Sequence, residues 1–221
     1  MHLTRLRRVA AALLLGGLLA LPLACVNPFR PSDPQPPDGS GVAQNFQSPD
    51  SVLATLQRAI EAKSIQGAEA YIACFTDSTV PADRAFRAFY DPSVRLIWQA
   101  GGVDAPEPWN RSSESRVPNR LYLQRQNASY NWQWSRDPFA INDEEAADTA
   151  QFHRKYVLLA TDPQSSTSEI ISIGYTDLSF LRKEGRWSIV RWNDRVDPTV
   201  GANPSNDQRT MTWWRLKSLE R

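Results

Sequence analysis

The chain has 221 residues, with 25 basic side chains against 24 acidic ones, and the charges are scattered along it. Nucleic-acid binding needs a concentrated positive face, so a nucleic-acid partner is excluded as an expectation. Two histidines and two cysteines leave no zinc-type spacing, and no Gly-rich phosphate loop or Gly-x-Ser-x-Gly elbow is present. No metal and no cofactor is therefore expected.

The first residues read as an address. Arg5, Arg7 and Arg8 precede an uncharged Ala/Leu/Gly run from Val9 to Ala24, broken by Gly16, Gly17 and Pro22. That run falls short of the ~20 apolar residues of a spanning helix. A basic start, a short apolar stretch and a small residue before a break are the marks of a secretory leader.

The run Leu21-Pro22-Leu23-Ala24-Cys25 resembles a bacterial lipobox, with Pro22 in place of the usual leucine. The resemblance implies diacylglycerol and palmitate-type chains on Cys25, hence a lipid anchor as the membrane partner. Val26 rather than Asp after the cysteine implies sorting to the periplasmic face of an outer membrane. Residues 1–24 are then the leader. Residues 25–47 are a tether, since Pro28, Pro31, Pro34, Pro36 and Pro37 with Gly39 and Gly41 hold extended backbone and no apolar period appears. Residues 48–221 are expected to form one domain. Cys74, in the apolar run Tyr71-Ile72-Ala73-Cys74-Phe75, is left without a disulfide partner and reads as core.

The domain opens with helix signals. Ser48-Pro49-Asp50-Ser51 combines a capping hydroxyl, an N1 proline and an early acid. Val52, Leu53, Leu56, Ala59 and Ile60 then recur at helical spacing to about Lys63, and a second helix runs from Gln66 towards Asp77. Residues 83–90 read as a third short helix, 94–99 as a strand and 101–118 as a long loop. Strands follow at 121–134, 151–161 and 169–181, with an acidic loop or helical turn over 141–149. The last strand pairs with residues 186–194 across Arg182-Lys183-Glu184-Gly185. Trp213, Trp214 and Leu216 near the C-terminus are expected to dock back on the domain. Helices first and antiparallel strands afterwards make the class α+β, with N-terminal helices packed on a curved antiparallel sheet.

This order of elements resembles the nuclear-transport-factor-like, or cystatin-like cone, superfamily. The resemblance rests on the opening helix, on the second helix closing at Tyr71-Ile72-Ala73-Cys74-Phe75-Thr76-Asp77, and on the terminal pair. That pair is Gly174 to Leu181 followed by Gly185-Arg186-Trp187-Ser188-Ile189-Val190-Arg191-Trp192-Asn193-Asp194. It implies a cone whose interior, in the superfamily's isomerases and cyclases, holds a carboxylate base beside phenolic donors.

On those strands Asp177 and Asp194 are the candidate bases, with Tyr175 as a candidate donor beside Tyr122, Tyr130 and Tyr156. An ion pair of Asp194 with Arg191, Arg195 or Arg154 is the structural alternative. His153 reads as a structural or surface histidine. Tyr130, Trp132 and Trp134 share one strand face and are the candidate ligand or partner surface, unless they simply fill the core. The preferred reading is a non-catalytic envelope lipoprotein that binds an envelope protein or a small apolar ligand, or pairs with itself through the sheet. The alternative is a small acid–base isomerase or cyclase. A cavity with either carboxylate pointing in beside a tyrosine would favour catalysis, whereas carboxylates turned to solvent or arginine would end it.

Overall fold

A computed structural model of the chain describes residues 41–77, 80–90, 109–197 and 211–219. The leader, Cys25, most of the tether, the strand expected over 94–99 and the first part of the loop expected over 101–118 lie outside the described residues.

Helix α1 (Pro49–Ala62) begins as its sequence dictates. The Ser48 hydroxyl accepts from Ser51 N and the Ser51 hydroxyl accepts from Ser48 N, a reciprocal cap, with Pro49 in the first turn. It ends at Lys63 in the left-handed region (φ 47°). Helix α2 (Ile65–Ala73) is capped by Ser64, whose hydroxyl accepts from Gly67 N at 3.0 Å. Val52, Leu56, Ala59 and Ile60 are completely buried, so the apolar stripe of α1 faces the core.

The segment read as a third helix is instead a 3-10 turn (Ala82–Arg84) and strand β1 (Arg87–Tyr90). Phe86 and Ala88 are buried at period two while Phe89 is 43% exposed, which is a strand's alternation. The end of the expected loop is also ordered. Strand β2 (Trp109–Asn110) runs into one turn of helix, α3 (Arg111–Glu114), and then α4 (Val117–Gln124). Pro118 sits at the start of α4, where its missing N–H costs nothing, and Val117, Pro118 and Leu121 face inward. The strand expected from 121 therefore starts only at β3 (Ser129–Arg136). In the acidic stretch a two-residue strand, β4 (Glu144–Glu145), replaces the expected loop or turn.

The long strands are β5 (Thr149–Asp162), β6 (Thr167–Lys183) and β7 (Arg186–Arg195); the first two run a few residues beyond the expected bounds and the third a single residue. The sheet order is β2-β1-β7-β6-β5-β3, with β4 beside β3 along the same edge of β5. Among the described strands the β1–β7 pair is parallel and the others are antiparallel; a single parallel bridge also joins Phe75 to Ile189. The α+β class is thus as expected, with one parallel pairing added. The helices cover one face, called inner below, and Glu61 of α1 accepts from Trp132 N at 2.9 Å, closing the β3 edge.

Two further segments join this body. Residues 41–47, assigned to the tether, are docked: Phe46 is buried, its carbonyl accepts from Trp187 N, and Asn45 exchanges hydrogen bonds with the Thr55 hydroxyl. The closing stretch forms α5 (Trp213–Leu219), with Thr212 capping Arg215 N, and Trp213 and Trp214 are buried as expected.

The β6–β7 hairpin turns on Glu184 (φ 53°) and Gly185 (φ 79°), two successive left-handed residues, and Lys183 pairs with Arg186. That is a two-residue type I′ turn, whose twist matches the flanking strands. Gly185 has open space around it, so only its backbone demands glycine. Gly185→Val is expected to destabilise the domain by about 1–2 kcal/mol, the cost of a left-handed β-branched residue. Thermal unfolding is the check, and an unchanged melting temperature would show that the turn tolerates a side chain.

Candidate functional site

The register places the candidate residues on opposite faces of the sheet. Leu178 and Trp192 pair on the inner face, as do Thr176 and Asp194, and Tyr156 faces Gly174. His153, Asp177 and Asn193 are aligned on the outer face, with Tyr175 between Lys155 and Arg195 in the next row. Asp177 and Asp194 are therefore separated by the sheet itself.

On the outer face Asp177 is engaged three times. His153 Nδ1–H donates to its Oδ1 at 2.7 Å, Arg195 Nη2 donates to the same oxygen at 2.9 Å, and Asn193 Nδ2 lies 3.5 Å from Oδ2. Arg195 also bridges to the buried Asp137 at 2.8 Å, whose other oxygen accepts from Phe139 N. Tyr175 is buried under Phe139, with ring centroids 5.8 Å apart. This network fastens the 137–142 segment to the sheet. Asp177 and Tyr175 are therefore not the interior base and donor expected of them: neither shares the inner face with Asp194, and His153 pairs with Asp177 across the outer face.

Asp194 lies inside. The Tyr156 hydroxyl donates to Oδ1 at 2.6 Å, and Trp214 N donates to Oδ2 at 2.6 Å. Tyr156 in turn accepts from Trp213 N at 2.7 Å. None of these bonds comes from Arg191, Arg195 or Arg154, so in place of the alternative arginine pair Asp194 holds the Tyr156 hydroxyl and the Trp214 amide of α5. Gly174 makes room for the arrangement, since a Cβ there would stand 2.5 Å from the Tyr156 oxygen.

Burial pushes the Asp194 carboxyl above its ordinary value, opposed by the Tyr156 and Trp214 hydrogen bonds and by the nearby Lys217 charge. Burial and the Asp194 charge together raise Tyr156 well above the usual phenol value.

The rest of the inner space is occupied by rings. Trp132 packs on Trp213 with centroids 4.9 Å apart and on Tyr156 at 5.5 Å, and Trp109 packs on Trp214 at 5.1 Å. Trp132 is fully enclosed and Tyr130 nearly so, its hydroxyl donating to Leu121 O. These two fill the core and offer no partner surface. Trp134 is half-buried and lines a groove of about 390 Å³ with Leu53, Gln57 and Arg154. A larger groove, about 810 Å³, lies at the start of β5 and the end of β6. It carries Arg84, Glu144, Asp148, Gln151 and Arg191, and none of the expected site residues lines it.

One buried constellation was not anticipated. Glu114, at the end of α3, accepts from the Tyr71 hydroxyl, from Trp109 Nε1 and, at 2.9 Å, from Lys217 Nζ. Both charged side chains are almost wholly shielded from solvent. Glu114 fell within the stretch read as a loop, and Lys217 follows the Trp213, Trp214, Leu216 stripe that was read for its apolar members alone. The helical spacing of Trp213, Trp214 and Lys217 was the available signal. Among the described residues no group of three or more His, Cys, Asp or Glu is placed to hold a metal ion, and no helix is long and apolar enough to cross a membrane.

No family model and no curated protein matches the chain. Among solved structures it is similar to a protein of unknown function from Mycobacterium tuberculosis, at 14% identity and a TM-score of 0.48, covering 77% of this chain and 86% of that one. It is also similar to a conserved protein from Planctomyces limnophilus (10%, TM-score 0.46, covering 67% and 93%). A third is an NTF2-like protein with a cystatin-like fold from Novosphingobium aromaticivorans (12%, TM-score 0.46, covering 72% and 83%). At such identities the likeness concerns the arrangement of elements and carries nothing about activity.

Asp194→Asn retains the shape but replaces one of two acceptor oxygens by a donor facing Tyr156 or Trp214 N. A loss of about 1–3 kcal/mol is expected from the unsatisfied buried group. The sign of its pH dependence follows from the raised carboxyl. Folding favours the protonated form, so that contribution is whole below the ordinary value of 3.8 and is lost as pH rises through the folded-state value. The advantage of Asp194 over asparagine should therefore shrink between pH 4 and pH 7. Urea midpoints of both proteins at the two pH values test this, and a widening gap would reverse the assignment.

Proposed function

We propose that this chain is a lipoprotein of the bacterial cell envelope, anchored through acyl chains on Cys25, whose nuclear-transport-factor-like domain binds a ligand or protein partner and performs no chemistry. One observation carries the non-catalytic part: the candidate carboxylates are engaged in holding structure. Asp194 anchors the Trp214 amide of α5 directly and the Trp213 amide through Tyr156, and Asp177 is shared among His153, Arg195 and Asn193. A general base needs a free lone pair facing a substrate cavity; Asp194 is sealed inside, and Asp177, partly exposed on the outer face of the sheet, is held there by His153 and Arg195.

The anchor is supported by the basic start, the short apolar run and the Leu-Pro-Leu-Ala-Cys sequence, with Val26 favouring the periplasmic face of an outer membrane. The proline-rich stretch after Cys25 gives the domain reach from the bilayer. The 810 Å³ groove alternates Arg84 and Arg191 with Glu144 and Asp148, which suits a polar protein segment better than a lipid tail. A second copy of the chain is an alternative partner. Cys25→Ala is expected to move the protein from the membrane fraction to the soluble one. An unchanged membrane pool would remove the lipid anchor from this account.

One contact favours the isomerase- or cyclase-type alternative: a phenol 2.6 Å from a desolvated carboxyl in an aromatic interior. That reading requires α5 to vacate the space. Its expected signature is amide exchange at Trp213 and Trp214 much faster than exchange through global unfolding. Exchange of both amides only at the global rate would dispose of the enzyme.

A further inference from the structure

Helix α5 relates to the body around it as a ligand relates to a receptor. Four hydrogen bonds between the described residues of the two are donated by α5 and accepted by a body side chain. Trp213 N donates to Tyr156, Trp214 N to Asp194, Trp213 Nε1 to Tyr71 and Lys217 Nζ to Glu114. The helix brings donors and a cation; the body presents acceptors and two buried carboxyl groups.

The surroundings of the Lys217 ammonium are more specific than a salt bridge alone. Nζ lies 5.1 Å from the centre of Trp109, 5.3 Å from Trp214, 5.7 Å from Trp192 and 5.8 Å from Trp213. Indole faces within about 6 Å attract a cation through the ring quadrupole, most strongly where water is excluded. The carboxylate beneath the ammonium is positioned by the body itself, because Tyr71 and Trp109 Nε1 both donate to Glu114. Trp109 and Trp192 belong to the sheet, so the counter-ion and half of the ring enclosure owe nothing to α5.

We propose that the space around Lys217 Nζ is a recognition site for a primary alkylammonium group, with the C-terminal helix as its tethered occupant. An external ligand of that class enters by displacing Lys217. The proposal rests on reading the interior as a binding rather than a catalytic space, and it names the chemistry that space selects. An ammonium fits for two reasons: a neutral group would leave Glu114 buried without a countercharge, and an anion would meet that carboxylate. The aliphatic stem of the ligand would lie among the indoles that surround Lys217 Nζ.

Replacing Lys217 by alanine removes Cγ, Cδ, Cε and Nζ, the heavy atoms of n-propylammonium. The full chain carrying Lys217→Ala is therefore titrated with n-propylammonium, following its melting temperature and tryptophan fluorescence. n-Propanol serves as the uncharged control. Saturable binding is expected, with a rise of about 3–6 °C at tenfold excess over the dissociation constant. The unaltered chain, its site filled by Lys217, should bind at least tenfold more weakly, and Lys217→Ala combined with Glu114→Gln should lose the response. A Lys217→Ala protein that folds only when n-propylammonium is present supports the site equally.

The proposal is overturned by equal responses to n-propanol and n-propylammonium, by no response at all, or by equal affinity in the unaltered chain. Those outcomes leave the lipid anchor and the structural role of Asp194 standing, since the Cys25 and Asp194 variants test them separately.

Discussion

The interior of this domain is organised by one buried carboxyl group, Asp194, and the short helix that it holds. A helix of seven residues has too few internal hydrogen bonds to persist alone in water. Its first amides must find acceptors, and here Tyr156 of β5 and Asp194 of β7 supply them from either side of β6. Once the helix is seated, Trp213 and Trp214 complete the aromatic filling between α2 and the sheet, and Lys217 meets Glu114. The polar contacts fix position, while the large desolvated rings supply most of the stabilisation. Without the helix, both Asp194 and Glu114 would be left in an apolar surround with fewer partners, which is costly for either.

The same arrangement separates two groups that a strand pattern alone makes look equivalent. Asp177 and Asp194 are both acidic residues on adjacent long strands, but they point to opposite sides of the sheet. The outer-face carboxylate becomes the hinge pin of a surface network through Arg195 and Asp137. The inner-face one becomes a helix anchor. Their chemical likeness in the sequence conceals two unrelated environments, and environment decides what a carboxyl group does.

Local chemistry in the sequence was legible where it acts over a few residues. The Ser48-Pro49 start, the apolar stripe of α1 and the Glu184-Gly185 turn all stand as read, because caps and turns are settled by near neighbours. The alternation of β5, β6 and β7 carried the α+β class. What failed were short stretches whose state is settled by distant partners. Residues 87–90 follow the Asp83-Arg84-Ala85-Phe86 stretch and read with it as one helix, but they pair with β7, and Pro118 reads as a loop breaker though it opens α4. The Glu114–Lys217 pair joins positions 103 residues apart, and no local signal encodes such a meeting. Tyr130 and Trp132 were ambiguous for a different reason. Period-two aromatics have the same pattern whether a neighbour covers them or leaves them bare, and here α4 and α5 do the covering.

The docking of residues 41–47 has a mechanical meaning. Any pull arriving from the N-terminal side is met by Ala43, whose carbonyl accepts from Arg58, and further on by Phe46, whose carbonyl is bonded to Trp187 and whose ring lies 3.7 Å beneath the Arg186 guanidinium. Asn45, one residue earlier, is clasped by Thr55 in the middle of α1. Traction is thus divided between a helix and an interior strand before it can reach the Ser48 cap. A segment fastened in this way would resist being peeled from the sheet and helix that hold it.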